Sequence, residues 1–185
     1  MIARILTVVT TLIVGSAQAA ESAYSTTSGS ACANIRLKRE FNSWRCRGPA
    51  GYSARFYDQG NMVAVEFGPT GKEKALVEEG LMWQGADRAF GDKIEWRMTR
   101  GKPYAAILRI SRNDADADTG ESRTVEELLV VKVSPLGACR IGVVDGKPPN
   151  AIAVARDLAD STALMFRCGA DQPHTTRASS PSPRG

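Results

Sequence analysis

Residues 93–144, KIEWRMTRGKPYAAILRISRNDADADTGESRTVEELLVVKVSPLGACRIGVV, decide the fold. Four dense apolar runs, KIEWRM, YAAILRIS, TVEELLVVKVS and ACRIGVV, are separated by Gly, Pro and Asp breakers, which is the pattern of consecutive β-strands joined by tight turns. Ile94, Trp96 and Met98 share one face at period two. So do Ala106, Leu108 and Ile110, then Leu129, Val131 and Val133, then Cys139, Ile141 and Val143. Each run has one apolar face to bury, and together they predict the scaffold on which the rest is arranged.

The same alternation extends toward the N-terminus. Trp44 and Cys46 alternate with Arg45 and Arg47, Tyr52, Ala54 and Phe56 with Ser53, Arg55 and Tyr57, and Val63, Val65 and Phe67 form a third inward face. Gly48-Pro49-Ala50-Gly51 and Asp58-Gln59-Gly60-Asn61 supply the turns between them. Residues 68–91 are interrupted by Gly71, Gly80, Gly85 and Gly91 and predict a mostly irregular excursion, with one or two helical turns in KEKALVEEGLMW, pinned by Leu81, Trp83 and Phe90. Long loops of this kind often carry function. Beyond Val144 a breaker cluster ends in Asn150, a good N-cap, and apolar residues then recur at helical spacing at Ala151, Ala155, Leu158, Thr162 and Met165 or Phe166. The spacing predicts one amphipathic helix of about four turns covering a face of the sheet. The fold class is therefore α+β: a mainly antiparallel meander or small barrel with one C-terminal helix.

The two ends have a different composition. Residues 1–19 carry Arg4, an apolar run over 5–14 and Ala17-Gln18-Ala19, the small-residue pattern of a signal-peptidase site, which predicts export and a mature chain beginning at Ala20. The apolar run is shorter than the roughly 20 residues a membrane-spanning helix needs, so no stable insertion is expected after cleavage. Residues 20–31 are rich in Ser, Thr and Ala without an apolar period and predict a flexible leader; 32–169 form one β-rich domain; 170–185 are Pro- and Ser-rich and predict a disordered tail. The net charge of +4 loses only Arg4 with the leader, and the tail takes one more positive charge with it. A body this mildly basic does not argue for a nucleic-acid partner.

All four cysteines, Cys32, Cys46, Cys139 and Cys168, lie in the mature part, and an even count in an exported chain implies two disulfides with three pairings open. Cys32 and Cys46 flank one short excursion, and Cys139 and Cys168 flank the last strand and its helix, so the sequential pairing is expected. There is no C-x-x-C, and the one histidine, His174, lies in the tail, so neither a redox pair nor a zinc site is predicted and no cofactor is implied.

Candidate ligand-facing residues come from charge and placement. Arg45, Arg47 and Arg55, with Tyr57 beside them and Arg36, Lys38 and Arg39 nearby, predict a cationic stripe on an outward sheet face, suited to an anionic envelope component or an acidic periplasmic protein. The competing reading is a solvated face that keeps the sheet soluble. Residues 113–121 alternate Asp114, Asp116 and Asp118 as calcium loops do, but Thr119 stands where glycine is needed and Val125 where the bidentate glutamate belongs, so an acidic hairpin loop is expected. Asp92, Glu95 and Glu127 are candidate paired carboxylates for hydrolysis, with salt bridges to Arg97 or Arg109 the simpler fate. Trp83, Phe90 and Trp96 predict core first and a ligand pocket second.

Two resemblances follow from motifs. W-x-C-x-G-x-x-G-Y at residues 44–52, V-x-F-G at 65–68, I-E-W-R at 94–97, P-Y-A-A-I-L-R at 103–109 and the C-terminal A-x-x-x-A-R-D-x-A-D helix between two cysteines resemble a group of small exported proteins of Gram-negative bacteria, which implies a periplasmic or secreted location and this architecture. The early W-x-C at Trp44, a polar loop with Ala86, Arg88 and Phe90, and W-x-x-x-x-G at Trp96 also resemble the membrane-bound inhibitors of C-type lysozyme, which implies inhibition of a cell-wall hydrolase and adds Arg88 to the candidate ligand-facing residues. The chain lacks the Ser-Gly-x-x-Tyr loop of those inhibitors and has no cysteine at the cleavage junction. The expected function is thus a non-catalytic binding module, with hydrolase inhibition and carboxylate-dependent hydrolysis as alternatives.

Overall fold

Alternating apolar and polar residues produce a long antiparallel meander. The computed structural model describes residues 20–35, 42–77, 81–115 and 119–176. In chain order these form β1 (Glu21–Thr26), β2 (Cys32–Asn34), β3 (Asn42–Arg47), β4 (Tyr52–Asp58), β5 (Met62–Pro69), β6 (Met82–Thr99), β7 (Lys102–Ala115), β8 (Ser122–Ser134), β9 (Gly137–Asp145), α1 (Ala151–Thr162) and β10 (His174–Thr176). From β2 to β9 each strand pairs antiparallel with the next, β10 returns parallel to β9 after α1, and β1 pairs with β6. The turn from β6 to β7 holds Arg100 and Gly101 both at positive φ, the two-residue geometry that matches strand twist.

The sheet curls without closing into a barrel, and β6 is where it turns. Only Met62↔Gln84, Val63↔Trp83 and Ala64↔Met82 join β5 to β6; the C-terminal half of β6 has β1 on that edge instead. The β2–β5 half therefore folds over β6–β9. Between the halves lies the main core, where Phe56, Val65 and Phe67 meet Ile94, Trp96, Leu108, Leu129 and Val131. A bridge between Ala75 and Ala138 stitches the chain after β5 to the start of β9. A second core lies on the other face of β7–β9, where Ile107, Val130 and Ile141 pack against Ala151, Ala155 and Ala159 of α1 and Ala163 just past its end.

Both disulfides have the sequential pairing, Cys32–Cys46 and Cys139–Cys168. Cys32 and Cys46 are directly opposite on β2 and β3, whereas Cys139–Cys168 ties β9 to the turn after α1. Disulfides persist in oxidising compartments, which fits an extracytoplasmic domain. Among the described residues no helix is long and apolar enough to cross a membrane. The predicted signal sequence over 1–19 lies outside the described residues.

Several expectations need correction. The stretch expected as a flexible leader contributes β1, because backbone pairing and hydroxyl contacts replace the missing apolar period: Trp96 Nε1 donates to Ser25 Oγ at 2.8 Å, and Thr27 Oγ1 to the Gly91 carbonyl at 2.8 Å. The expected disordered tail starts too early, since His174–Thr176 pair with β9 where Gly142 leaves room; a Cβ there would stand 2.4 Å from the His174 carbonyl oxygen. Residues 177–185 lie outside the described residues. The excursion expected over 68–91 is strand from Met82 on, with its register broken between Gly85 and Phe90 and again before Ile94. The helix buries alanines spaced by four instead of Leu158 and Thr162, because small residues let its backbone approach the sheet.

Candidate functional site

The outward face of β3 and β4 carries the predicted arginines in register, Arg45 opposite Arg55, with Arg47 further along the same face. Their charges do not form a free stripe. Arg45 donates to Glu73 through Nε at 2.5 Å and Nη2 at 3.0 Å, and Ser53 Oγ and the Gly71 amide donate to the same carboxylate. Burial works to raise the Glu73 carboxyl, and these hydrogen bonds outweigh it, holding the group down at about 2. Arg55 lies directly opposite Glu66 of β5 and donates to it, with Nε at 2.9 Å; its guanidinium also sits 5.2 Å from the Tyr57 ring centre. Tyr57 donates its hydroxyl to Glu66 at 2.7 Å, and burial followed by that carboxylate pushes the phenol above its ordinary value. The cationic face is thus largely neutralised by Glu66 and Glu73. Glu66 could have been found from sequence, since period two puts it outward on the neighbouring strand. Arg47 is exposed and has no ion-pair partner among the described residues, and Arg36, Lys38 and Arg39 lie outside them.

The candidate carboxylates are not a pair. Glu95 pairs with Ile107 on the α1 face of the sheet, whereas Glu127 pairs with Ile110 on the main-core face. Glu127 is bound by Arg112 at 3.0 Å, not by Arg109, which contacts Glu126. Asp114 of the acidic loop is held by Arg112 at 3.0 Å and Arg123 at 3.2 Å; residues 116–118 lie outside the described residues. Among the described residues no group of three His, Cys, Asp or Glu side chains could hold a metal. Trp96 is core, while Trp83 and Phe90 are half-buried and meet edge to face at 5.4 Å.

The expected salt bridge of Glu95 with Arg97 forms at 3.3 Å, within a larger charge network between β1, β6 and α1 that the sequence did not connect. Arg97 stands two residues beyond Glu95, and Arg156 and Asp160 stand one turn apart on α1. A β-bulge between Arg97↔Ala105 and Met98↔Pro103 leaves Tyr104 unpaired and puts its side chain on the helix face. Arg156 donates to Glu95 at 2.7 and 3.0 Å, Arg97 to Asp160 at 2.8 and 2.5 Å, and Tyr104 to Asp160 at 2.6 Å. From β1, Ser22 donates to Glu95 at 2.6 Å, and the Tyr24 hydroxyl accepts from Arg156 at 3.1 Å. Burial works to raise Glu95 and Asp160, but the arginines and hydroxyls hold both below the usual carboxylate range. Burial and the neighbouring Asp160 push the Tyr104 phenol up to about 12.

Beside this network opens a groove of about 580 Å³. Ile107, Leu128 and Ile152 line its apolar part, Arg156 and Glu95 form one wall, and Tyr24, Asp92, Lys93 and Arg109 complete it. The Lys93 ammonium lies 5.8 Å from the Tyr24 ring centre. Arg109 donates to the Gly146 carbonyl at 3.1 Å and reaches Glu126 only at 3.4 Å on the exposed side. Arg88 is elsewhere, exposed at positive φ on β6, at a second cleft lined by Trp44 and Phe90. Comparison with protein-family models, curated proteins and solved structures gives no match for this chain.

Proposed function

We propose that this chain is a non-catalytic binding domain of the cell envelope, periplasmic or secreted after cleavage behind Ala19, and that it holds an anionic ligand with an apolar body in the groove between α1 and the sheet. The observation carrying this reading is the groove floor, where the half-buried Ile152 lies over the buried Ile107 and Leu128 beside the cations Lys93 and Arg109. Glu95, Arg97, Arg156 and Asp160 balance one another within the wall. The charge offered to a ligand is therefore that of Lys93 and Arg109 against Asp92, since the exposed contact of Arg109 with Glu126 is weak and exchangeable. An acyl chain or similar apolar body would cover the hydrophobic patch while its anionic head meets the two cations.

Calorimetric titration with octyl phosphate, against octyl glucoside as the neutral control, tests this. Saturable binding of the phosphate alone is expected, weakened about tenfold by Lys93→Gln with Arg109→Gln. Equal binding of both amphiphiles, or of neither, rejects the reading.

A further inference from the structure

The cleft beside the break in β6 is separate from the groove and shares only Asp92 with it. We infer that this cleft is a second recognition site and takes a basic side chain, arginine or lysine, presented by a partner protein. It measures about 390 Å³ and is lined by the aromatic residues Trp44 and Phe90, with Asp58, Asp87 and Asp92 against Arg88, the one cation among its described lining residues.

Two independent observations carry the inference. The first is charge left unspent. Glu66, Glu73, Glu95, Glu127 and Asp160 each stand within 3.0 Å of an arginine nitrogen, whereas Asp58, Asp87 and Asp92, gathered at one cleft, have no ion-pair partner among the described residues, even with Arg88 beside them. Asp58 accepts one hydrogen bond, from the Gly60 amide at 2.9 Å. The second is a preformed aromatic surface. Trp44 stacks on Phe56 at 5.3 Å and meets Phe90 edge to face at 5.9 Å, so the rings at the cleft are fixed by core packing. Positive φ at Arg88 and the two register breaks shape the mouth, and Gly85 fits so closely that a Cβ would lie 2.9 Å from Val63. A cation entering there meets carboxylates beside aromatic rings, the combination by which guanidinium and ammonium groups are recognised.

The test is an amide NMR titration of the full chain with the blocked peptide Gly-Gly-Arg-Gly-Gly and its citrulline counterpart. Expected are saturable shifts over residues 85–90 and at the Trp44 indole N–H with the arginine peptide only, weakened about tenfold by Asp58→Asn with Asp87→Asn, neither of which lines the groove. No shift, or an equal response to citrulline, overturns the inference. Shifts of the same amides by chitotriose with the peptide silent overturn it in favour of a sugar site. Binding that appears only after Arg36, Lys38 and Arg39 are replaced by serine overturns it by assigning the carboxylates to the chain's own basic stretch.

Discussion

Glu73 is charged at 3% exposure because Arg45, Ser53 and the Gly71 amide converge on its carboxylate. Its folded pKa of about 2 lies below the ordinary 4.5, so its contribution is fully present above pH 4.5 and is lost as pH falls through 2. That contribution is roughly 3 kcal/mol. Glu73→Gln should therefore lower the urea-unfolding free energy by about 3 kcal/mol at pH 7. Its gap to the parent protein should close between pH 4.5 and 2; a gap independent of pH would show that lost packing, not lost charge, is responsible. This residue was not legible in the sequence, since it follows a strand with no period to place it. Arg55 and Glu66 were legible in principle, because strand register alone puts them opposite one another.

At the scale of elements, legibility depended on apolar period. Ile94, Trp96, Leu108 and Leu129 alternate cleanly, and their inward face follows. Tyr104 breaks the alternation through its bulge and reaches Asp160, a partner that no local pattern reveals. β1 was invisible because Ala23 is its one side chain packed on the main core and its hold on β6 is polar. Removing residues 20–27 should nevertheless cost about 3–5 kcal/mol, since it strips one edge of β6, leaves the buried Trp96 N–H without an acceptor and takes Ser22 from Glu95. Chemical unfolding of the truncated chain checks this, and an unchanged midpoint would mean that β1 only rests on the surface. α1 was recognised, and Ala151, Ala155 and Phe166 are buried as expected, but Leu158 and Thr162 each stand one position short of the buried Ala159 and Ala163. Ala155→Leu should cost about 1–3 kcal/mol by pushing the helix off the sheet, while Leu158→Ala should cost less, as thermal melts of the two would show.

For the molecule as a whole, the cysteine grouping and the meander were readable, whereas the groove and the cleft were not: both are assembled from residues that meet only once β6 has bent. The two disulfides should make distinct contributions despite similar loop entropies of about 3 kcal/mol each. Cys32→Ser with Cys46→Ser should raise hydrogen exchange mainly in the edge strand β2. Cys139→Ser with Cys168→Ser should raise it through α1 and β10, with a larger drop in melting temperature. Equal exchange patterns would show that neither bridge has a territory of its own. The pairing of β1 with β6 also has a consequence in time. β7, β8 and β9 join through short connections and so form quickly, but Glu21 must wait for Met98, far along the chain. Among the described strand pairs, β1 with β6 spans the greatest separation along the chain, so β1 is expected to dock late. Until it does, the exposed edge of β6 is open to the same strand from a neighbouring chain, the situation from which strand-exchanged dimers arise.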